Sequence, residues 1–160
     1  MKKKWILAIV VLLLVTVTSS LGILYTLAKK PEEAEFLRVQ TLVMDQGLLT
    51  EITDMYAYNS VKSYVTVIGL TSEAEEVAYI LDKEDNQTAF EVKLADGISK
   101  EQAEQLTRDE ADVNEILSIK LGQEEIGPVW EVTYLNSNDA LSYTYLDFKT
   151  GDWWKRISNL

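Results

Sequence analysis

The sequence predicts an α+β protein: an N-terminal membrane-spanning helix, then two successive repeats, each one helix packed on a four-stranded antiparallel sheet. Three observations carry this reading. From Trp5 to Ala28 there are 24 residues without a charged side chain. Beyond Asp54 the apolar pattern changes from helical spacing to alternation. The order of one helix followed by four strands then occurs twice, at an offset of about 65–69 residues. The organisation expected is a cytoplasmic tail at 1–4, the spanning helix at 5–28, a first repeat at 31–95 and a second at 96–160.

The first element follows from length. A helix over Trp5–Ala28 covers roughly 36 Å, against a hydrocarbon core about 30 Å thick. Lys2, Lys3 and Lys4 precede it, and Lys29 and Lys30 follow with Glu32 and Glu33 beyond. That bias favours a cytoplasmic N-terminus and an extracellular C-terminal domain, a single pass through the cell membrane. A cleaved signal peptide is the alternative, with Ser20, Gly22 and Ala28 as small residues for processing. The apolar run resumes at Leu21–Leu27, however, and exceeds the short apolar core such peptides carry. Both readings export the remainder.

All 26 acidic residues lie after position 30, against ten basic ones there, so the exported part carries a net charge of −16. Nucleic acid and anionic lipid are poor partners for such a surface. The chain contains no cysteine and no histidine. Serine and cysteine nucleophiles activated by histidine, thiolate or imidazole zinc sites and histidine general bases are thereby excluded.

Pro31 can open a helix, with Glu32, Glu33 and Glu35 in a first turn that suits the helix dipole, or the membrane helix can continue past it, since only Pro31 interrupts. Phe36, Val39 and Val43 form its apolar row, and Gly47 ends it after Gln46. Alternation then marks strands at Met55–Asn59, Val61–Ile68, Glu76–Leu81 and Thr88–Leu94, the last with Phe90, Val92 and Leu94 on one face. In the second repeat Ser99 and Gln102 make a capping box, so a helix begins at Lys100 and ends near Asp112, with Ile98 stapling onto Ala103. Strands follow around Leu117–Leu121, Trp130–Tyr134, Leu141–Tyr145 and, after the Thr150-Gly151 turn, Trp153–Ile157. Superposing the halves sets Leu37 on Leu106, Tyr79 on Tyr145 and Val65 on Trp130.

Candidate chemistry is sparse. Asp82-Lys83-Glu84-Asp85-Asn86 gathers carboxylates but lacks the central glycine and distal glutamate of a calcium loop, and reads as a solvated hairpin tip. Glu124-Glu125 and Glu104, Asp109, Glu110 and Asp112 offer acid pairs without the fixed separation in a cleft that glycoside hydrolysis needs. Asn86-Gln87-Thr88 matches a glycosylation acceptor by its three letters alone. No catalytic residue, metal site or cofactor is expected, and the chain reads as non-enzymatic. The aromatic residues say more. Trp130, Val132 and Tyr134 share one strand face, as do Tyr143 and Tyr145, and cross-strand packing accounts for them. Adjacent Trp153 and Trp154 must point to opposite faces, so one of them reaches the surface beside Arg156. Tyr143, Tyr145, Trp153, Trp154 and Arg156 are therefore the candidate partner-binding residues, of the types that interfaces favour.

The stretch Trp130-Glu131-Val132-Thr133-Tyr134-Leu135, with Leu141-Ser142-Tyr143, Leu146-Asp147-Phe148-Lys149-Thr150-Gly151 and the earlier Gly97-Ile98-Ser99, resembles the TseB (YpmB) family. The specific likeness covers the last 60 or so residues, and the N-terminal half matches in layout. The resemblance implies exported, membrane-anchored proteins of Gram-positive bacteria built from PepSY-like, cystatin-like repeats. It also implies a non-enzymatic regulator of cell-wall elongation and peptidoglycan synthesis, whose partner is a membrane-anchored penicillin-binding transpeptidase, with residues 5–28 in the lipid bilayer. The alternative carried by the same fold is a PepSY-type inhibitor of an exported peptidase.

Overall fold

The computed structural model describes the backbone of residues 2–84 and 89–158, and the side chains of these apart from 2–4, 6–11, 23–24, 26–31 and 89. The chain forms two compact units, one up to Arg38 and the other from Val39 onward.

The first unit is helix. α1 runs unbroken over Lys2–Asp45, and its last turns belong to the second unit. Pro31 therefore lies inside a helix and does not open one. The missing N–H removes one backbone hydrogen bond, and good helix formers from Glu32 to Arg38 carry the helix past it. Leu12, Leu13, Leu14, Val15, Val17 and Leu21 are all exposed. Consecutive residues point all round a helix, so exposed apolar side chains are spread around this stretch, interspersed with exposed Thr16, Thr18, Ser19 and Ser20. Among the described residues no helix is long and apolar enough to cross a membrane. Much of the expected span at 5–28 falls on side chains outside those described.

In the second unit α1 ends where sequence places it, by a Schellman motif. Gly47, at φ +67°, donates to the Met44 carbonyl at 3.0 Å, and Leu48 donates to Val43 at 3.0 Å. Glycine takes that left-handed conformation without a Cβ clash. Two antiparallel meanders follow. Sheet A has the order β1 (Glu51–Asn59), β2 (Ser63–Leu70), β3 (Glu76–Asp82) and β4 (Ala89–Lys93). A short 3-10 turn at Leu94–Asp96 leads to α2 (Lys100–Glu110). Sheet B then has the order β5 (Glu115–Glu124), β6 (Gly127–Leu135), β7 (Leu141–Asp147) and β8 (Trp153–Ile157). The capping box at α2 is present: Ser99 Oγ accepts from the Gln102 N–H, and the Gln102 side chain accepts from the Ser99 N–H.

The duplication extends to irregularities. β1–β2 shifts register between Ile52 and Asp54, and β5–β6 shifts between Ile116 and Ser118. Val39 and Val43 are wholly buried, as are Ala103 and Thr107, which stand 64 positions later. These pairs replace Leu37 on Leu106, since Leu37 is exposed. Val65 does fall on Trp130: Leu70 pairs with Glu76, and Leu135 pairs with Leu141. The same register sets Tyr79 on Thr144, not Tyr145, and one residue of slip exchanges the faces of a strand.

The repeats dock edge to face. β5 is an outer strand of sheet B, and its free edge meets the hydroxyls of sheet A. Leu121 N–H donates to Tyr56 Oη at 2.8 Å, and Thr66 Oγ1 donates to the Leu121 carbonyl at 2.8 Å. Lys120 Nζ donates to the Ala57 carbonyl at 3.0 Å. An exposed strand edge is thereby closed without a further strand. Tyr58, Ile80, Leu121, Trp130, Val132 and Phe148 belong to one core that spans both repeats.

Candidate partner-docking surface

The opposite margin of sheet B is β8, and the candidate residues lie there. Tyr143 pairs with Ile157, Thr144 with Arg156 and Tyr145 with Lys155, after which the register shifts and Leu146 pairs with Trp153. Trp154 is thus the extra residue of a bulge. It turns onto the face of Tyr145 and meets that ring edge-on, with centroids 6.2 Å apart and planes at 84°. Trp153 goes to the other face and is 59% exposed. Of the adjacent pair it is the surface residue.

Two clusters result, back to back across β8. On one side Tyr145 is buried and Trp154 half-buried. The Lys155 ammonium lies 5.5 Å from the Tyr145 ring centroid and 5.8 Å from that of Trp154. Tyr143 shares this side and is half-buried. On the other side the Arg156 guanidinium lies 6.0 Å from the Trp153 ring. Arg156 Nε donates to Thr144 Oγ1 at 3.2 Å and Nη1 to the Glu110 carbonyl at 3.3 Å, while the Glu110 carboxylate is 3.8 Å away. These bonds fix the guanidinium as a flat support for Trp153. The five expected residues are therefore all at one sheet margin, but on two faces, and no common patch holds them.

Lys155 and Glu131 were absent from the sequence-based set. Cross-strand register brings them in, since Glu131 and Lys155 both pair with Tyr145, and no local pattern in the sequence marks it. Burial holds the Glu131 carboxyl above the ordinary range, opposed by a hydrogen bond from Tyr145 and by the charge of Lys120. Burial, with the charge of Glu131, likewise raises the Tyr145 hydroxyl, which stays a proton donor.

Elsewhere the carboxylates are structural. Glu104 pairs with Arg108, Asp109 accepts from Gln105, Asp112 accepts from Ser137, and Glu124 accepts from Tyr58. Among the described residues no group of three could hold a metal ion. Asp82 corrects the solvated-tip reading of its hairpin. It is buried, pairs with Lys62 at 3.0 Å and accepts from the Glu84 N–H at 2.9 Å. Residues 85–88, including the glycosylation match, lie outside those described.

No family model matches the chain. A curated relative, the probable cell wall elongation regulator TseB of Bacillus subtilis (strain 168), is 34% identical over 85 residues. That match takes in 53% of this chain and 47% of the relative, about half its length. Among solved structures, the YpmB protein from Bacillus subtilis superposes with a TM-score of 0.62 at 24% identity, covering 69% of this chain and 86% of that one. The two likenesses agree with each other. Over about half its length the chain is similar to TseB, and in fold it is similar to YpmB. The structural likeness itself bears on the fold: helix and four-stranded meander, twice. Among the described residues β8 is the outer strand of sheet B that no further strand pairs, whereas β5 meets sheet A.

Proposed function

We propose that this chain is a membrane-anchored, extracytoplasmic, non-enzymatic regulator of cell-wall elongation that acts by docking a penicillin-binding transpeptidase on the β8 margin of its second repeat. The regulatory role rests on the relative named as a probable cell wall elongation regulator. The observation that favours docking over catalysis is Trp153, a large apolar ring 59% exposed and backed by a guanidinium held in place. A fixed aromatic ring loses little side-chain freedom on binding, and Trp and Arg are the usual energetic anchors of interfaces. The anchor rests on the charge-free run Trp5–Ala28 and on the bare apolar side chains from Leu12 to Leu21. In water such a surface is costly, and in lipid it is not. Residues 5–28 would then hold the repeats beside the membrane, where an anchored wall-synthesis enzyme also works.

Affinity capture from solubilised membranes tests this reading, comparing the tagged full-length chain with one lacking residues 1–30. The full-length chain should retain a penicillin-binding protein and the truncated one should retain much less. Absence of any wall-synthesis enzyme from both captures would remove the proposal.

A further inference from the structure

A hollow of about 490 Å³ opens between the two repeats beside the start of α2. Ile68 of β2 and Trp130 of β6, both buried, line its floor, and half-buried Leu94 and Ile98 form its apolar wall. The Trp130 indole N–H already donates to the Ile98 carbonyl at 2.9 Å, so the floor presents carbon. Register decides what stands over it. Asp54 pairs with Ile68 and Ile68 with Ala78, while Glu76 stands two positions before Ala78 on β3. Strand side chains alternate, so Asp54 and Glu76 share the inner face of sheet A with Ile68 and Ala78. Both are exposed, and both line the hollow. The duplication makes these acids particular to the first repeat: the equivalent positions in sheet B are Ser118, which pairs with Thr133, and Leu141, which pairs with Leu135.

The charges around the hollow leave an excess of acid. Lys100 and Glu101 line it as well, so three carboxylates face one ammonium and the net charge is −2. Glu101 is held below the ordinary carboxylate range by its own backbone N–H, the Ser99 hydroxyl and the Lys100 charge. Lys100 and Glu101 thus offset one another, and the excess belongs to Asp54 and Glu76. Asp54 accepts one backbone bond, from the Met55 N–H at 2.9 Å. Among the described residues no ion pair engages Asp54 or Glu76. The start of α2 is closed to an anion, because Ser99 and Gln102 fill its cap. The hollow therefore suits a cation that carries an apolar body with it.

We propose that this hollow docks a lysine side chain from a basic segment of a protein partner, its four-carbon stem against Leu94 and Ile98 and its ammonium between Asp54 and Glu76. Lysine joins an apolar stem to a charged head, which matches an apolar wall below a pair of carboxylates. A metal ion has less to hold it, since among the described residues no three carboxylates converge on one point. The charge of −16 beyond position 30 draws basic segments toward this surface, most strongly at low salt. The site is separate from β8 and does not depend on the role given to Trp153.

The test uses the full-length chain in detergent micelles at low salt, with nitrogen-15 in tryptophan and isoleucine. The probes are three capped pentapeptides, Ala-Ala-X-Ala-Ala, with X as lysine, norleucine or 2,3-diaminopropionic acid. Norleucine keeps the stem without the charge, and diaminopropionic acid keeps the charge without most of the stem. The Trp130 indole N–H and the Ile98 amide should shift saturably with the lysine peptide in the millimolar range, and each of the other two peptides should bind about fivefold more weakly. Asp54→Asn with Glu76→Gln should weaken the lysine peptide about fivefold at an unchanged denaturation midpoint. Glu115→Gln with Glu125→Gln removes the same charge from exposed acids outside the hollow and should change binding less than about twofold. Unchanged resonances, equal binding of the norleucine peptide, or equal weakening by the two double variants would overturn the proposal. So would calcium chloride alone saturating the same two resonances.

Discussion

Gly122 has no room for a side chain: a Cβ there would lie 2.3 Å from the Tyr58 ring. The ring rests on this glycine, and its hydroxyl donates to Glu124 at 2.6 Å, so one aromatic residue of the first repeat is seated by two residues of the second. Gly122→Ala should lower stability by about 1–3 kcal/mol, read from chemical denaturation, because the ring and β5 must part. None of this is legible in sequence, since the partners are 66 positions apart and each residue type is ordinary alone. The split of Trp153 from Trp154 was legible, because alternation in a strand depends on neighbours only. The bulge that turns Trp154 onto Tyr145 was not, and neither was the engagement of Asp82. Glu131 gives a pH dependence at this scale. Its folded carboxyl holds its proton more tightly than in the unfolded chain, chiefly through burial. The native state therefore binds more protons, and this group's contribution falls as pH rises from about 4 toward the raised folded value. Glu131→Gln should flatten that part of the stability profile and raise stability above it. A variant profile parallel to that of the parent chain would contradict this account of the carboxyl.

Among the elements, α2 was the most fully legible, because its start is written in adjacent residues. Ser99 and Gln102 cap it reciprocally, and Ala103 and Thr107 on its inner face are fully buried. Ser99→Ala should cost about 1 kcal/mol, seen as a lower urea midpoint at unchanged slope. The stop of α1 at Gly47 was equally local. Its passage through Pro31 was one of two readings the sequence left open, since a proline inside a helix and a proline opening one share the same flanking sequence, and the unbroken helix decides for continuation. All eight strands lie where alternation placed them, with ends that differ by a few residues. Register was harder. Aligning aromatic with aromatic set Tyr79 on Tyr145, whereas hydrogen bonding sets it on Thr144. The pairing of Leu70 with Glu76 and of Leu135 with Leu141 fixes the offset of this strand, and cross-strand register has no marker in either sequence segment.

For the molecule as a whole, the order of elements and the duplication were legible because each repeat writes the same pattern of periods. The docking of β5 on the hydroxyls of Tyr56 and Thr66 was not, as it joins an edge to a face across the two repeats. The candidate surface was half legible: its five residues do gather at one margin, yet the bulge distributes them over two faces. Trp153 is the exposed member, so Trp153→Ala should leave folding within about 0.5 kcal/mol of the parent while weakening partner capture. The most direct measurement replaces Trp153 by a photo-crosslinking amino acid in the full-length chain, irradiates intact membranes, and identifies the crosslinked protein by mass. A penicillin-binding transpeptidase as the dominant product, absent when the crosslinker sits instead at exposed Leu117 on the opposite margin, is the result expected. A transpeptidase captured equally from both positions, or from neither, would contradict docking through β8.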